Sequence, residues 1–500
     1  MHTALLLEMA AEAFPERTAV GPVEGGVTFA ELAARARAGG AWLASLGPGP
    51  VVFVGLNSPA APAALFAAAE IGRPFAPLNY RLADGDLRKL LARTAPSVAI
   101  VDDDMAPRLA GTPGVAIVTR GAFEAACLDP ALRATAKPDV DADIAVLLFT
   151  SGTTGEPKAA VLRHRHLASY VISTVEFMHA EEDEAMLVSV PPYHIAGIAS
   201  ALTAVYAGRR TCHLPVFSAE AWVETAAREK ITHAMLVPTM LGRVLNVLEE
   251  RRRQALPHLR AISYGGGRMP AAVVERAMRL LPDTDFVNGY GLTETSSTIA
   301  VLTAEDHRQA ISSRDPAVRR RLGSVGRPLP SVEIEVRGPD GGRLPPGASG
   351  EVFVRGEQIA GEYIDRKATC DEGWFATRDA GWMDEDGYLF VEGRLDDVIV
   401  RGAENISPGE IEDVLRAHPA VADVAVLGLP DDHWGERVAA VIVPKGAAPS
   451  VDDLARFVKA RLRSTKTPET WEFRSELPYN DTGKLLRRVL KQELESAEPV

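Results

Sequence analysis

Through the first two thirds of the chain, short apolar runs alternate with alanine-rich stretches of helical spacing. This alternation restricts the possible folds more than any other feature of the sequence. The runs are PVVFVGL (50–56), SVAIVD (97–102), IAVLLFT (144–150), AMLVSV (185–190), HAMLVP (233–238) and LRAISYGGG (259–267). Helical stretches such as SAEAWVETAAREKI (218–231) and PAAVVERAMRLLP (270–282) fall between them. Strands alternating with helices build βαβ units, and a run without polar alternation, such as IAVLLFT, is buried on both faces of a mostly parallel sheet. From about residue 323 the texture changes, and SVEIEVRGPDGGRLPPGASGEVFVRG (331–356) sets short strands between Gly/Pro turns, as in an antiparallel or barrel-like part. After VEGRLDDVIVRG (391–402), the strands VADVAVLGLP (421–430) and RVAAVIVPKG (437–446), with helices around them, read as a small α+β unit. With 500 residues the chain is too long for one core.

Composition excludes several classes of partner. The formal net charge is −13, so nothing draws the chain as a whole to nucleic acid or anionic lipid, and any phosphate must be held by a local constellation. Cys127, Cys212 and Cys370 are far apart and form no CxxC pair, which argues against a disulfide framework or zinc site and for a reducing, cytoplasmic setting. MHTALLLEMAAEAFPER (1–17) carries Glu8 and Glu12 within its apolar run and reads as an amphipathic helix, not a signal peptide. PAAPAALFAAAEIG (59–72) is shorter than the roughly 20 residues that span a bilayer, so no integral membrane segment is expected. The acidic HAEEDEAM (179–186) reads as a solvated turn.

The chemistry begins where IAVLLFT ends, in the loop TSGTTGEPK (150–158). Its glycines admit close backbone approach to an anion, its N–H groups and hydroxyls can wrap phosphate oxygens, and Lys158 adds a compact charge. The loop is not a Walker A motif, because Pro157 precedes the lysine and Ala159 follows it, leaving no adjacent hydroxyl for magnesium. VNGYGLTETSS (287–297) is a second such stretch: Tyr290 suits stacking on a base, Thr293 a phosphate, and Glu294 one side of Mg²⁺, whose shell phosphates and water complete. TRDAGWMDEDGYLFVEGRLDD (377–397) offers Asp379 to the two hydroxyls of a ribose, and Arg394. Singly these read equally as a tight turn, a capping aspartate and a surface arginine; the three in this order point to a nucleotide.

At this point the chain resembles the adenylate-forming enzymes, the group of acyl-CoA synthetases, peptide-synthetase adenylation domains and firefly-type luciferases. The motifs that carry the resemblance are TSGTTGEPK, PPYHIAG (191–197), GYGLTET (289–295), TRDAG (377–381), GRLDDVIVRGAENISPGEIE (393–412) and NDTGKLLRR (480–488). The resemblance implies two steps, attack of a carboxylate on the α-phosphate of ATP to give acyl-AMP, then displacement of AMP by a thiol, usually that of CoA. It implies an α/β fold, with a large N-terminal domain of two α/β sheets plus a small β-barrel (1–395) and a small mobile α+β C-terminal domain (396–500).

Carried over residue by residue, Thr150, Ser151, Gly152, Thr153, Thr154, Gly155 and Lys158 would hold the β- and γ-phosphates. Gly265, Gly266 and Gly267, with Tyr290 and Gly291, would bound the adenine. Thr293 would meet the α-phosphate, Glu294 the magnesium, and Asp379 and Arg394 the ribose. A carboxylate is already nucleophilic at neutral pH, so the first step needs positioning and charge neutralisation and no general base. Lys484 is expected to supply that charge; without the family context it would read as a solvated lysine beside Arg487 and Arg488. The same resemblance implies that His194 would border the acyl pocket and gate the carboxylate site. It implies that Asp396 would be the hinge about which the C-terminal domain rotates, removing Lys484 and bringing in the loop of Gly402 to line a thiol channel.

Trp434 matches a position along the pantetheine arm of CoA, although its simpler reading is a core or interface tryptophan. Three departures from the family pattern stand out: Ala403 where many relatives have glycine, Thr467 and Glu469 where some CoA ligases carry basic residues beside the retained Lys466, and Arg378 where glycine usually precedes the aspartate. Amino acids and diacids are disfavoured, because no aspartate lies in PPYHIAG and Gly289 stands where an arginine would be wanted. The pocket is therefore expected to be apolar, lined by Ile195, Ala199, Met235, Val237 and Tyr264, for an aliphatic or aromatic monocarboxylic acid. The expected partners are that acid, ATP with Mg²⁺, and CoA, with a carrier-protein thiol as the alternative acceptor and a homodimer left open. A luciferase-like oxygenase is remote, and a non-catalytic nucleotide sensor would have lost Lys484 or Glu294.

Overall fold

The apolar runs become the inner strands of two large sheets. The computed structural model describes residues 1–133, 142–150, 157–250, 256–401, 404–431, 433–479 and 485–497. One sheet has eight strands, with Ile144–Thr150, Phe75–Pro77, Val51–Val54, Ser97–Val101 and Val115–Thr119 in parallel succession. The other has nine, with Asp285–Leu292, Ala261–Gly265, His233–Leu236, Ala185–Val188 and Arg210–His213 parallel at its centre. Val51–Val54 and Ser97–Val101 are buried at every residue, as expected of strands covered on both faces.

Helices fill the space around these sheets. Phe29–Leu46 opens with a capping box between Thr28 and Glu31. Ala60–Glu70, the most apolar segment of the sequence, is buried all round and shares one core with Leu6 and Leu7 of the N-terminal helix and with Ile198 and Leu202 of Ile195–Ala207. The N-terminal amphipathic helix is thus a core element, and among the described residues no helix is long and apolar enough to cross a membrane.

A four-stranded antiparallel sheet follows, Val332–Arg337, Gly350–Gly356, Phe375–Met383 and Leu389–Arg394. It is the expected barrel-like part, open between its first and last strands. The small C-terminal domain has a five-stranded sheet built on the long hairpin Val421–Asp431 and Gly435–Pro444. Helices Pro408–Arg416 and Val451–Lys459 cover one face through Ile411, Leu415, Leu454 and Val458. Leu477, Tyr479, Leu485, Leu490 and Leu494 cover the other.

One element was passed over in the sequence, and one reading needs correction. Lys158–Arg163 is a strand antiparallel to Ile144–Thr150, so the glycine loop connects the two strands of a hairpin, and the helix expected from about Arg163 begins at His164. The acidic turn is not wholly solvated, because Glu184 is drawn inward by Arg209 at 2.6 Å and Arg260 at 3.5 Å.

Glu70 carries a testable consequence of this packing. It is 1% exposed, with Oε2 lacking a hydrogen-bond partner. Burial, reinforced by Glu8 and opposed by Arg37, raises its pKa from 4.5 to about 7. Between those values the folded chain binds more protons than the unfolded one, so this group's stability, full below pH 4.5, is lost as pH rises to about 7 and stays lost above. Glu70→Gln is expected to raise the melting temperature relative to wild type by a margin that grows from pH 5 to pH 8. An equal offset at both pH values counts against a buried neutral carboxyl.

Candidate active site

Two of the three nucleotide motifs, far apart in the sequence, come together directly. Tyr290 is on the strand Asp285–Leu292, and its hydroxyl donates to Asp379 Oδ2 at 2.6 Å. Asp379, buried at 6% exposure, sits across from Arg394 in the antiparallel pair, and Arg394 Nε lies 3.2 Å from Asp379 Oδ1. Arg394 also donates to the Thr377 carbonyl at 2.8 Å, which fixes the guanidinium in place. Burial and the adjacent carboxylate push the Tyr290 phenol well above its usual pKa, so it stays a neutral donor. A carboxylate has about four lone-pair sites, so Asp379 can hold Tyr290 and Arg394 and still accept from a diol.

Glycine is required at two of the motif positions by close backbone approach. A Cβ on Gly265 would lie 2.3 Å from the Gly289 carbonyl oxygen, and one on Gly291 would lie 1.8 Å from that of Ser297. Gly266 has φ +77°, and Gly267 follows in the same turn. Gly265 lets two parallel strands close up beside Tyr290, and Gly291 does the same for the antiparallel pair that follows it.

Thr293 and Glu294 open a single 3-10 turn, Thr293–Thr295. The next two residues, Ser296 and Ser297, have φ of +55° and +100°, a strained backbone for residues with side chains. Gln358 holds this turn: fully buried, its Nε2 donates to the carbonyls of Thr295 (3.1 Å) and Thr298 (2.8 Å). The Thr295 hydroxyl adds a bond to the Ser297 carbonyl at 2.7 Å. Glu294 is 9% exposed and accepts from the Tyr363 hydroxyl at 2.5 Å on Oε1, while its carbonyl accepts from the N–H groups of Ala360 and Gly361. A hard carboxylate oxygen held in this way suits Mg²⁺.

Tyr363 connects this turn to the glycine loop, because its strand Glu362–Tyr363 pairs with Lys158–Arg163 at Ala160. Thr150 and Lys158 face each other across the hairpin, and Arg93 donates to the Pro157 carbonyl at 2.8 Å. Arg93, Gln358 and Tyr363 were missed in the sequence. Each is a single residue outside any motif, brought in by strand pairing or by a long-range contact. Ser151, Gly152, Thr153, Thr154, Gly155, Gly402, Ala403 and Lys484 lie outside the described residues.

His194 caps the helix Ile195–Ala207 in an extended conformation, its ring 4.8 Å from that of Tyr193, which in turn meets Tyr80 at 5.7 Å. Ile195 and Ala199 follow one turn apart on that helix. The pocket candidates on the sheet divide by parity. Met235 pairs with Ser263 and Leu236 with Tyr264, so Met235 and Tyr264 point to opposite faces. Tyr264 joins the outer core with Leu236, 1% exposed, and its hydroxyl meets His307 at 2.7 Å. His307 Nδ1 faces the Thr303 carbonyl at 2.7 Å, which leaves Nε2 to accept from Tyr264. Tyr264 is therefore a core residue and leaves the pocket set; Val237, directly after the strand His233–Leu236, remains with Met235.

Trp434 is 48% exposed, with His433 edge-on at 5.4 Å and the Arg401 guanidinium 5.6 Å from its ring, so it is not a core residue. Two of the departures find partners. Glu469 pairs with Arg401 while Lys466 pairs with Glu410 at 2.5 Å, so both charges are compensated within the C-terminal domain. Arg378 has φ +60°, which explains why glycine is usual there, and its side chain pairs with the hinge candidate Asp396 at 2.8 Å.

Comparison with known proteins agrees with this arrangement. The chain matches the AMP-binding enzyme family over residues 7–364 and the AMP-binding enzyme C-terminal domain over residues 410–484. It is 34% identical to indoleacetate–CoA ligase of Aromatoleum aromaticum over 461 residues, covering 88% of each chain. It is 35% identical to the fatty acid–[acyl-carrier-protein] ligase ScoC of Streptomyces coeruleorubidus, covering 90% of this chain and 87% of that protein. Among solved structures it resembles O-succinylbenzoate coenzyme A synthetase (MenE) from Bacillus subtilis in complex with ATP and magnesium ion, with a TM-score of 0.81 and 28% identity, covering 97% of this chain and 99% of the other. The chain belongs to the AMP-binding enzymes, the adenylate-forming family, within its acyl-CoA synthetase type.

Proposed function

We propose that this protein is an ATP-dependent acid–CoA ligase for an aliphatic or aromatic monocarboxylic acid, active in the cytoplasm. The acid's carboxylate oxygen attacks the α-phosphorus of ATP, the acyl–phosphate bond forms, and pyrophosphate leaves. The CoA sulfur then attacks the acyl carbon and expels AMP. The observation that carries this reading is the joining of three distant motifs: Tyr290 to Asp379 and Arg394, and Glu294 through Tyr363 to the strand that leaves the glycine loop.

In this reading Asp379 accepts from the ribose hydroxyls and Tyr290 with Gly265–Gly267 bounds the adenine. Thr293 meets the α-phosphate, Glu294 holds Mg²⁺, and Thr150 to Lys158 hold the β- and γ-phosphates. Ile195, Ala199, Met235 and Val237 give the acid an apolar pocket without a counter-charge for an amine or a second carboxylate, and His194 stands at its entrance. Residues 1–395 form the adenylating domain, and 396–500, hinged at Asp396, carry Lys484, Gly402 and Trp434. The similarity to ScoC supports a second reading, in which a carrier-protein thiol replaces CoA.

Mass spectrometry of products from ATP, Mg²⁺ and a panel of short, medium and aromatic acids, with and without CoA, tests the function. Acyl-CoA is expected with one class of acid. Acyl-AMP that persists when CoA is added would move the acceptor to a carrier protein. Lys484→Ala is expected to lose adenylation about 100-fold or more while still converting supplied acyl-AMP to thioester. Equal loss of both half-reactions would remove its assigned role. Tyr363→Phe deletes a hydrogen bond to a charged group and is expected to slow adenylation roughly tenfold at limiting Mg²⁺. The deficit should narrow as Mg²⁺ is raised, and a deficit indifferent to Mg²⁺ would detach Tyr363 from the metal side of the site.

A further inference from the structure

The two faces of the small C-terminal sheet have different surroundings. Helix Pro408–Arg416 covers one face and meets the large domain. Arg268 Nη2 donates to Asp413 Oδ2 at 2.5 Å, and Ser407 Oγ donates to the Glu392 carbonyl at 3.0 Å. A Cβ on Gly409 would lie 1.9 Å from Arg268 Nη1, so the guanidinium is seated directly on the backbone at Gly409. Gly409 and Asp413 lie one helical turn apart and present a single seat. The second Asp413 oxygen takes no hydrogen bond and faces Arg416 at 3.9 Å.

The described residues on either side of 480–484 lie on the opposite face. Tyr479 and Leu485 pair with each other there and pack with Leu427, Leu477 and Leu490. A sheet docked on the large domain through the Gly409 helix thus directs the flanks of Lys484 away from the contact. If Lys484 serves the first step, the Arg268 contact must break for that step and re-form afterwards. Arg268 also directly follows Gly265–Gly267, so the contact joins the glycine turn beside Tyr290 to the moving domain.

We propose that Arg268, seated on Gly409 and paired with Asp413, is a positioning residue that holds the domain arrangement used for thiol transfer. This rests on the ligase reading above, and it assigns to Arg268 the balance between the two half-reactions. The pair has the strength that such a contact needs. Its side chains are 38% and 36% exposed, so water screens the attraction and the contact biases the arrangement without trapping it. A bias of roughly fivefold is the scale of a favourable exposed ion pair.

The test uses the full chain and three variants, Arg268→Asp, Asp413→Arg and the two combined. Adenylation is read by ATP–pyrophosphate exchange, and thiol transfer by single-turnover conversion of supplied acyl-AMP with CoA. Each single variant is expected to slow thiol transfer roughly fivefold, with exchange unchanged or faster, and the combined variant to recover most of the loss. Loss of exchange in parallel, or no recovery on combination, would make Arg268 a support of the glycine turn and overturn the proposal.

A second readout does not depend on turnover. Spin labels at Glu385→Cys and Lys459→Cys, in a Cys370→Ser background, report the separation of the two domains. The single variants are expected to move the distance distribution away from that of wild type, and the combined variant to restore it; unchanged distributions overturn the proposal. If the wild-type protein forms acyl-AMP but no thioester with CoA, the CoA reading fails by itself, and the label distances decide the latch.

Discussion

The site depends first on the Asp379 carboxylate. It is buried, and a buried carboxylate is tolerated only where donors replace lost water. Two donors arrive from opposite directions. Tyr290 comes from the nine-stranded sheet, and Arg394 from the neighbouring strand of the antiparallel sheet. The requirement to satisfy one charge therefore also fixes how two sheets stand relative to each other. The edge they form holds the groups that we assign to adenine and ribose. The Glu294 turn is fixed by the same logic at a second point, where Gln358 and Tyr363 reach in from the segment between the second and third strands of the antiparallel sheet.

Much of this was legible in the sequence because it depended on local pattern. Strands such as Val51–Val54, Ala185–Val188 and Val421–Asp431 fall where continuous apolar runs placed them. The ordered motifs located Tyr290, Glu294, Asp379 and Arg394, and the structure brings Asp379 against Tyr290 and Arg394. What was not legible depended on pairing. Lys158–Arg163 is a short run of small apolar residues, and its partner strand alone makes it a strand. Tyr363 and Gln358 act through partners more than fifty positions away, so no local window contains their signal. Tyr264 was misplaced for a subtler reason. Its proximity to the site in the sequence is real, but the two-residue period of a strand sends it to the outer core, where His307 takes its hydroxyl.

Two of the departures from the family pattern, Arg378 and Glu469, also become intelligible. Arg378 occupies a left-handed position that glycine takes without strain, and its side chain pairs with Asp396, the aspartate we assign to the hinge. Glu469 does not leave an uncompensated negative charge, because Arg401 pairs with it while its guanidinium lies 5.6 Å from the Trp434 ring. A substitution that looks costly in one dimension is absorbed by a neighbour that only the folded chain supplies.

The hairpin that carries the glycine loop has a consequence for the order of events. Many phosphate loops lead directly into a helix, whose aligned peptide dipoles add a fixed positive end to the grip. Here Thr150 and Lys158 are paired strand residues, and the helix starts only at His164. In the site we propose, a phosphate chain held between Thr150 and Lys158 would have the Lys158 ammonium beside it, and among the described residues the strand after the loop, not a helix terminus, follows it. Such a hold would be shorter in range and more easily given up. It would suit a group gripped while intact ATP is aligned and then discharged as free pyrophosphate before the thiol arrives, so that a first step which runs in both directions while pyrophosphate stays is drawn forward by its departure.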